Sequence, residues 1–261
     1  MVDWYLGTMG FSYTDWAGPF YPATLAQRNY LRYYSRFFNA AEIDSTFYGT
    51  PRLATVKRWL AATPEDFRFC PKTPRTITHE KGLQSAHLDM AEFLAVMREL
   101  KEKLGVILIQ LPPSFENDQL EVLDTFLGEL PTDLRFAVEF RHASWYQRQT
   151  VSLLRKHKVC WAATEYPSLP RGAMLTADFI YFRLIGQHGQ FNRHDREQMD
   201  RSANLEWWYQ HLATHLEHVE AIYGFFNNDY AGFGLGSCNQ FKVLAGLPAP
   251  NLQPPQQQRL F

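Results

Sequence analysis

Short apolar runs alternate with segments of helical periodicity along almost the whole chain, and this alternation leaves few folds open. There are eight such runs, at 4–8, 40–45, 67–72, 106–111, 135–140, 159–164, 179–184 and 222–227. Apolar residues recur at helical spacing between and after them, for example at 25–38, 87–104, 119–130, 204–219 and 238–247. Eight strand–helix units within about 250 residues of this 261-residue chain predict an α/β fold, a (β/α)8 TIM-type barrel. An open doubly wound sheet is the alternative, but no glycine-rich phosphate turn follows the first run.

One domain accounts for nearly the whole sequence. The hydrophobic content of 46% and the aromatic content of 15% are ample for one large core and exclude disorder for most of the chain. We predict a barrel over residues 1–247 and a tail rich in proline and glutamine over residues 248–261. The sixth unit is the weakest, because the proline-containing stretch at 165–174 is too broken for a full helix.

Charge and cysteine content exclude several classes of protein. The formal net charge is -1, so any anion-binding site must be local rather than a generally basic surface. The three cysteines are far apart and lack CxxC spacing, which argues against a disulfide framework or a zinc site. The sequence shows no leader peptide and no apolar run of about 20 residues. We therefore predict a cytoplasmic protein with no membrane partner, and we predict no metal and no cofactor.

Polar side chains are concentrated at the carboxyl ends of the predicted strands. In FAVEFRHASW at 136–145, one strand face is apolar, while the other begins with Ala137 and ends with Glu139 and Arg141. The inward faces of a barrel pack its interior and the carboxyl strand ends form the active-site rim, so charges belong only at the last inward positions. Several other strands end in the same way. The residues expected at this rim are Glu42, Asp44, Lys72, Gln110, Glu139, Arg141, His142, Arg183, Asn227 and Asn228.

These residue types predict an enzyme that acts on an anionic substrate. Glu42, Glu139 and His142 are the candidates for acid–base chemistry. The candidates for substrate binding are Lys72, His79, Gln110, Arg141, Arg183, Asn227 and Asn228. Arginine binds phosphate and carboxylate alike, so the substrate class is a phosphorylated, sugar-phosphate or nucleic-acid-like compound, and the reaction a hydrolysis or an isomerisation. A self-neutralising charge network that only closes the barrel is the structural alternative.

Three other interpretations of the same residues remain open. Glu42 and Glu139 are a carboxylate pair of the kind that glycosidases use, although the surrounding cations favour an anionic substrate. The residue types that ligate metals are present in His79, His142, Glu42, Asp44 and Glu139, but none has the HxH or HExxH spacing of a metal site, and histidines that only donate hydrogen bonds are the favoured alternative. A module that binds a small anion or a nucleic-acid fragment without catalysis is the rival class.

Two loops add further candidates. The first loop carries Tyr13, Trp16, Phe20 and Tyr21, which either stack on a base or sugar or pack the loop onto the barrel. The polar stretch at 186–204 after the seventh run is either a lid over the site or a solvated loop.

Ordered segments of the chain also carry a family resemblance. They are GTMGFSYTDW and PFYP near the start, EIDSTFYGTP at 42–51, KTPRTITHEKGL at 72–83, QLPPSF at 110–115, VEFRHASW at 138–145, YFRLIG at 181–186 and FNND at 226–229. Together they resemble the YecE-like family, also called domain of unknown function 72. The resemblance implies a TIM-type barrel, somewhat similar to the endonuclease IV and xylose isomerase group, and no agreed activity. Members of the family often have histidine where this chain has Ile185, so that position receives no chemical role.

The tail contains a candidate partner-binding peptide. Gln257 is followed three and four residues later by Leu260 and Phe261, after a proline-rich stretch suited to an extended tether. This spacing resembles the peptide by which bacterial replication and repair proteins hold the sliding clamp, with two apolar anchors and a glutamine that sets the register. Two incidental hydrophobes on a frayed terminus are the alternative. We expect the full chain to bind the clamp in a titration, and a chain lacking Leu260 and Phe261 to lose binding. Equal binding by both would contradict the prediction.

Overall fold

Nine short parallel strands form the centre of the part of the chain that the structure describes. The computed structural model describes residues 2–166 and 168–254. The strands are β1 (Asp3–Met9), β2 (Ala40–Ile43), β3 (Arg68–Pro71), β4 (Val106–Gln110), β5 (Arg135–Glu139), β6 (Cys160–Trp161), β7 (Ala163–Glu165), β8 (Phe179–Leu184) and β9 (Ala221–Phe226). Each of the eight predicted strands is found, and the sixth is divided at Ala162 into β6 and β7.

Helices surround the strands on the outside. The α-helices are α1 (Tyr30–Tyr34), α2 (Leu53–Ala62), α3 (His87–Met97), α4 (Leu120–Gly128), α5 (Arg148–Lys156), α6 (Ser202–Ala213), α7 (Asn228–Ala231) and α8 (Gly234–Leu244). Short segments of 3-10 helix occupy Thr14–Trp16, Gln27–Asn29, Asp44–Tyr48, Arg98–Lys103, Asn117–Gln119, Ala143–Trp145 and Leu216–His218, and a π-helical turn spans Thr76–Glu80.

Hydrogen bonds close the strands into a barrel. Two sheets have the orders β3-β2-β1-β9-β8-β7 and β4-β5-β6, and every pairing in them is parallel. The Gly105 amide donates a hydrogen bond to the Phe69 carbonyl oxygen (2.8 Å), and Lys72 pairs with Leu108 in a parallel β-bridge. These two contacts join β3 to β4. At the other junction β6 and β7 follow one another with a single residue between them. The predicted TIM-type α/β barrel is therefore confirmed.

Side-chain alternation along the strands divides the core into two parts. On β5, Ala137 faces the barrel interior, while Phe136 and Val138 pack outward under the helices. The same division holds on β4, where Leu108 points inward and Ile107 points outward. These facings agree with those predicted from the sequence. Each inward row therefore carries small or apolar residues until its carboxyl end, where the charged residues begin.

Some of the predicted helices are shorter than their apolar periodicity suggested. Within 25–38 only Tyr30–Tyr34 is α-helical, because Phe37 and Phe38 pack against the first loop and α1 from a turn that follows the helix. Within 87–104 the α-helix ends at Met97 and continues as 3-10 turns. After β7 no helix follows over 168–174, as the prolines there predicted.

The chain after α8 runs from residue 245 to 254 without a helix or strand. Gln257, Leu260 and Phe261, the residues of the predicted clamp-binding peptide, lie outside the described residues, so their role stays a prediction. No helix within residues 2–166 and 168–254 is both long and apolar enough to cross a membrane.

Candidate functional site

A cavity of about 650 Å³ opens at the carboxyl ends of the strands. Its charged and amide-bearing lining comes from the ends of six strands and the loops after them: Asp44, Lys72, Gln110, Arg141, Arg183 and Asn227. Aromatic side chains of three loops complete the wall: Tyr13, Phe47, Tyr48 and Tyr166. The remaining lining residues are Ser168, Ile185, Gly186, Gln187 and His188. This is the end of the barrel at which TIM-barrel enzymes hold their active sites.

Arg183, at the end of β8, joins two buried carboxylates across the barrel. Its Nε and Nη2 donate to both oxygens of Glu42, at 2.9 and 2.6 Å. Its Nη1 donates to Oε2 of Glu139 at 2.5 Å. The Arg183 side chain is only 4% exposed and both carboxylates are fully buried. Because charge-assisted and bidentate bonds are strong and directional, this network gives the floor of the cavity a single geometry.

The two carboxyl groups have opposite pKa shifts. Burial raises the pKa of Glu42 to about 7, against the opposing attraction of Arg183. Burial also disfavours ionised Glu139, but the charges of Arg141 and Arg183 outweigh it and hold that pKa at about 2. The Tyr181 hydroxyl donates to Oε2 of Glu42 (2.6 Å), a contact that the sequence did not indicate. One carboxyl group can thus hold a proton near neutral pH while the other stays ionised.

Arg141 and Lys72 keep donors that no described residue occupies. The Nε of Arg141 donates to Oε1 of Glu139, whereas its two terminal nitrogens have no hydrogen-bond partner among residues 2–166 and 168–254. The Nζ of Lys72 likewise has neither a hydrogen bond nor an ion pair within that part of the chain, and it lies 4.1 Å from the centre of the Phe47 ring. The cavity therefore contains cationic donors that are held in place but available to a ligand.

Aromatic rings support and flank these cations. The guanidinium of Arg141 lies over the Tyr166 ring, 4.4 Å from its centre. Phe47 contacts Lys72 on one side and packs edge-on against Tyr48, which is 79% exposed at the rim. Tyr13 donates its hydroxyl proton to the Met9 carbonyl oxygen (2.6 Å). The cavity thus combines arginine and lysine side chains with a partly aromatic wall.

Most of the predicted binding residues come together here. Lys72, Gln110, Arg141, Arg183 and Asn227 all line the cavity. Lys72, Gln110 and Arg183 are the in-phase residues at the ends of their strands, as the alternation predicted. Asp44, which follows β2, also lines it, with a carboxylate oxygen 3.8 Å from Nη2 of Arg183.

Five other candidates lie away from the cavity lining. Glu42 and Glu139 are beneath it, bound by the arginines, so a direct acid–base role stays a prediction. His142 turns toward Ser144 (Nδ1 to Oγ, 2.8 Å) because its ring caps the following 3-10 turn. His79 bonds to the Thr78 hydroxyl and packs on Phe47. Asn228 accepts a hydrogen bond from the Gly234 amide (3.0 Å), which holds the start of α8 instead of a ligand.

Sequence reasoning missed the contributions of several aromatic residues. Phe47, Tyr48 and Tyr166 lie in loops, where strand alternation gives no information about direction. In the first loop Tyr13 does line the cavity, whereas Trp16, Phe20 and Tyr21 are fully buried. Trp16, Phe20 and Tyr21 therefore pack the first loop onto the barrel. Of these four aromatic residues, only Tyr13 is still a candidate for stacking on a ligand.

The polar stretch at 186–204 borders the cavity and is tied to neighbouring loops. The His194 amide donates to Asp15 (2.9 Å), and the His194 ring lies 3.2 Å from an oxygen of Asp229. His188 approaches the other oxygen of Asp229 at 3.2 Å. Within residues 2–166 and 168–254 no three His, Cys, Asp or Glu side chains are grouped as metal ligands.

Comparison with known protein families gives a match over nearly the whole chain. Residues 5–259 match the model of a family described as "Protein of unknown function DUF72". The chain is 37% identical over 211 residues to the UPF0759 protein YecE of Escherichia coli K12, an alignment that covers 71% of this chain and 77% of that protein.

Solved structures agree with the barrel. A DUF72 family protein of Thermotoga maritima superposes with a TM-score of 0.81 at 31% identity, covering 94% of this chain and 99% of the other. A DUF72 family protein of Enterococcus faecalis gives a TM-score of 0.78 at 22% identity, covering 97% and 99%, and supports the fold alone.

Proposed function

The chain belongs to the DUF72 family, and from the charges at its barrel mouth we propose that it binds a small anionic ligand there. Arg141 and Lys72 are the groups that reach the ligand, and Arg183, paired with Glu42 and Glu139, forms the floor of the cavity. The ligand carries a phosphate or a carboxylate, since a guanidinium recognises both. Sugar phosphates and nucleotide-like compounds fall within this class.

The observation that carries this proposal is the unequal use of donors in the network. Arg183 directs three of its nitrogens at Glu42 and Glu139. Arg141 uses only Nε on Glu139 and leaves its two terminal nitrogens without a partner in the described chain. A network that served only to neutralise itself would leave no such donors at a concave surface. A planar pair of N–H donors matches the two oxygens of a phosphate or carboxylate.

The buried carboxylates support the site from below. Glu139 orients both arginines, and Glu42 holds Arg183 in a bidentate pair. Side chains fixed in this way lose little freedom when a ligand arrives, so the cost of binding is reduced. Glu42 itself is fully buried beneath the cavity, with both oxygens accepting hydrogen bonds from Arg183, so its part is to hold the arginine rather than to meet the ligand.

Replacing Arg141 with glutamine tests the anion site. We expect the affinity for inorganic phosphate, citrate and adenosine monophosphate to fall about tenfold to a hundredfold, or about 1.4–2.7 kcal/mol. Stability should change little, because Glu139 keeps its bond from Arg183. Titration calorimetry and thermal melts of parent and variant measure the two effects.

Arg148→Gln is the matched control, since Arg148 is an exposed arginine at the start of α5. It should bind every probe as the parent does. Equal affinities for Arg141→Gln and the parent, or a parent that binds none of the three anions, would exclude the site. Conversion of a bound sugar phosphate or nucleotide to product distinguishes an enzyme from a module that only binds.

A further inference from the structure

Lys72 occupies an unusual position for a lysine. It follows β3 at the cavity and is only 9% exposed. The Thr46 hydroxyl accepts a hydrogen bond from the Lys72 amide (3.0 Å) and donates to the Lys72 carbonyl oxygen (2.6 Å). The next amide, that of Thr73, donates to the Leu108 carbonyl oxygen (2.8 Å). The backbone that carries this amine is therefore held from both neighbouring strands.

Other partly buried lysines of the chain use their amines as hydrogen-bond donors. Lys103 donates to the carbonyl oxygens of Leu60 and Thr63, at 2.8 and 2.7 Å. Lys242 donates to the Phe37 carbonyl oxygen at 2.9 Å. The Nζ of Lys72 has no such acceptor within residues 2–166 and 168–254, although it is the more buried side chain. Its amine is therefore free to react with a molecule that enters the cavity.

The surroundings of Lys72 favour the uncharged amine. Burial lowers its pKa, and the positive charge of Arg183 lowers it further. Asp44, Glu139 and Glu42 act in the opposite direction without cancelling the effect. A lysine that is desolvated and lies beside another cation is a better nucleophile at neutral pH, because a larger fraction of it carries a free electron pair.

We propose that Lys72 is a nucleophile that forms an imine with the carbonyl carbon of a ligand whose phosphate or carboxylate is held by Arg141. The inference rests on the proposed function, because Arg141 supplies the anion site, and it narrows the ligand class to aldehydes and ketones that carry an anionic group. It assigns Lys72 to covalent chemistry and leaves the recognition of the anionic group to Arg141.

The step is balanced without an oxidant or a reductant. The Nζ electron pair forms a bond to the carbonyl carbon as the C=O π pair moves to oxygen, and transfer of a proton from nitrogen to oxygen gives a carbinolamine. The nitrogen electron pair then forms C=N while the C–O bond breaks. The oxygen takes a proton from solvent and leaves as water, and the product is a protonated imine.

Trapping by reduction tests this assignment on the full chain. The probes are pyruvate and dihydroxyacetone phosphate, each added with sodium cyanoborohydride, which reduces the imine to a stable secondary amine. Peptide mapping by mass spectrometry then compares Lys72 with Lys101, an exposed lysine of the same protein. We expect Lys72 to be labelled at least about tenfold faster with one of the two probes.

Three variants test whether the labelled amine is that of Lys72 and whether Arg141 holds the probe. Lys72→Arg keeps a positive charge but cannot form the imine, so labelling at this position should be lost. A thermal melt shows whether this variant is folded. Arg141→Gln should slow the labelling of Lys72, and Arg148→Gln should not. Labelling of Lys72 no faster than of Lys101 in the parent overturns the proposal, whether or not the variants fold. If Arg141-dependent phosphate binding persists in that case, the proposed function stands and only the imine fails.

Discussion

Arg183→Met is expected to destabilise the fold by about 3–5 kcal/mol, because it leaves two fully buried carboxylates without their shared partner. Glu42 would retain the Tyr181 hydroxyl, and Glu139 would retain Arg141. A loss of this size corresponds to a decrease of roughly 10 °C in Tm for a domain of this length. Denaturant unfolding and thermal melts of parent and variant measure it.

Arg135→Met is the matched control at the opposite end of the barrel. Arg135 pairs with Glu220 at 2.7 Å, but both side chains are substantially exposed, so its loss should cost about 1 kcal/mol or less. A second comparison adds Glu42→Gln and Glu139→Gln to Arg183→Met, which should recover part of the lost stability, since neutral side chains no longer need the guanidinium. Equal costs for Arg183→Met and Arg135→Met would show that the network contributes nothing to the fold.

Glu42 should make the protein less stable as the pH rises through neutrality. The folded-state pKa is raised to about 7 from an ordinary value of 4.5, so the folded state binds the proton more tightly than the unfolded chain does. The stabilisation that results is complete below about pH 4.5 and is lost as the pH rises through 7. Between pH 5 and pH 8 this one group should lower the free energy of unfolding by about 2–3 kcal/mol.

The measurement is the difference between parent and Glu42→Gln at each pH, since the other titrating groups contribute equally to both proteins. Glutamine does not titrate, so the difference should change by that amount over the range. Glu139 has the opposite sign: its pKa is lowered to about 2, and its contribution is present above pH 4.5 and lost only in stronger acid. A difference that is constant from pH 5 to pH 8 would contradict the raised pKa of Glu42.

The barrel and the composition of its mouth could be predicted from the sequence because both depend on local periodicity. Side chains alternate across a strand, so Ala137 and Glu139 must share a face wherever β5 lies. In a closed parallel barrel that face points inward and the carboxyl ends share one rim. These two rules are enough to place Lys72, Gln110 and Arg183 in one cavity, as the structure has them.

Residues that follow the strands obey no such rule. His142 and Asn228 each lie within three residues of a strand end, yet one caps a 3-10 turn and the other holds the start of α8. Tyr166 and Phe47 reach the cavity from loops whose course depends on the packing around them. The alternation of residues along the chain does not encode these directions.

Strand alternation alone predicted that Lys72, Gln110 and Arg183 meet at the mouth of the barrel, whereas contacts in the closed barrel decide which charged side chains a ligand can reach. Glu42, Glu139 and Arg183 have equivalent positions in the strand pattern, but their charges satisfy one another once the barrel is closed. Arg141 binds Glu139 through Nε alone, and within residues 2–166 and 168–254 the Lys72 amine forms no ion pair, so both side chains keep donors for a ligand. Pairing depends on distances across the barrel, between strands far apart in the chain, and burial then makes each pairing or its absence energetically significant.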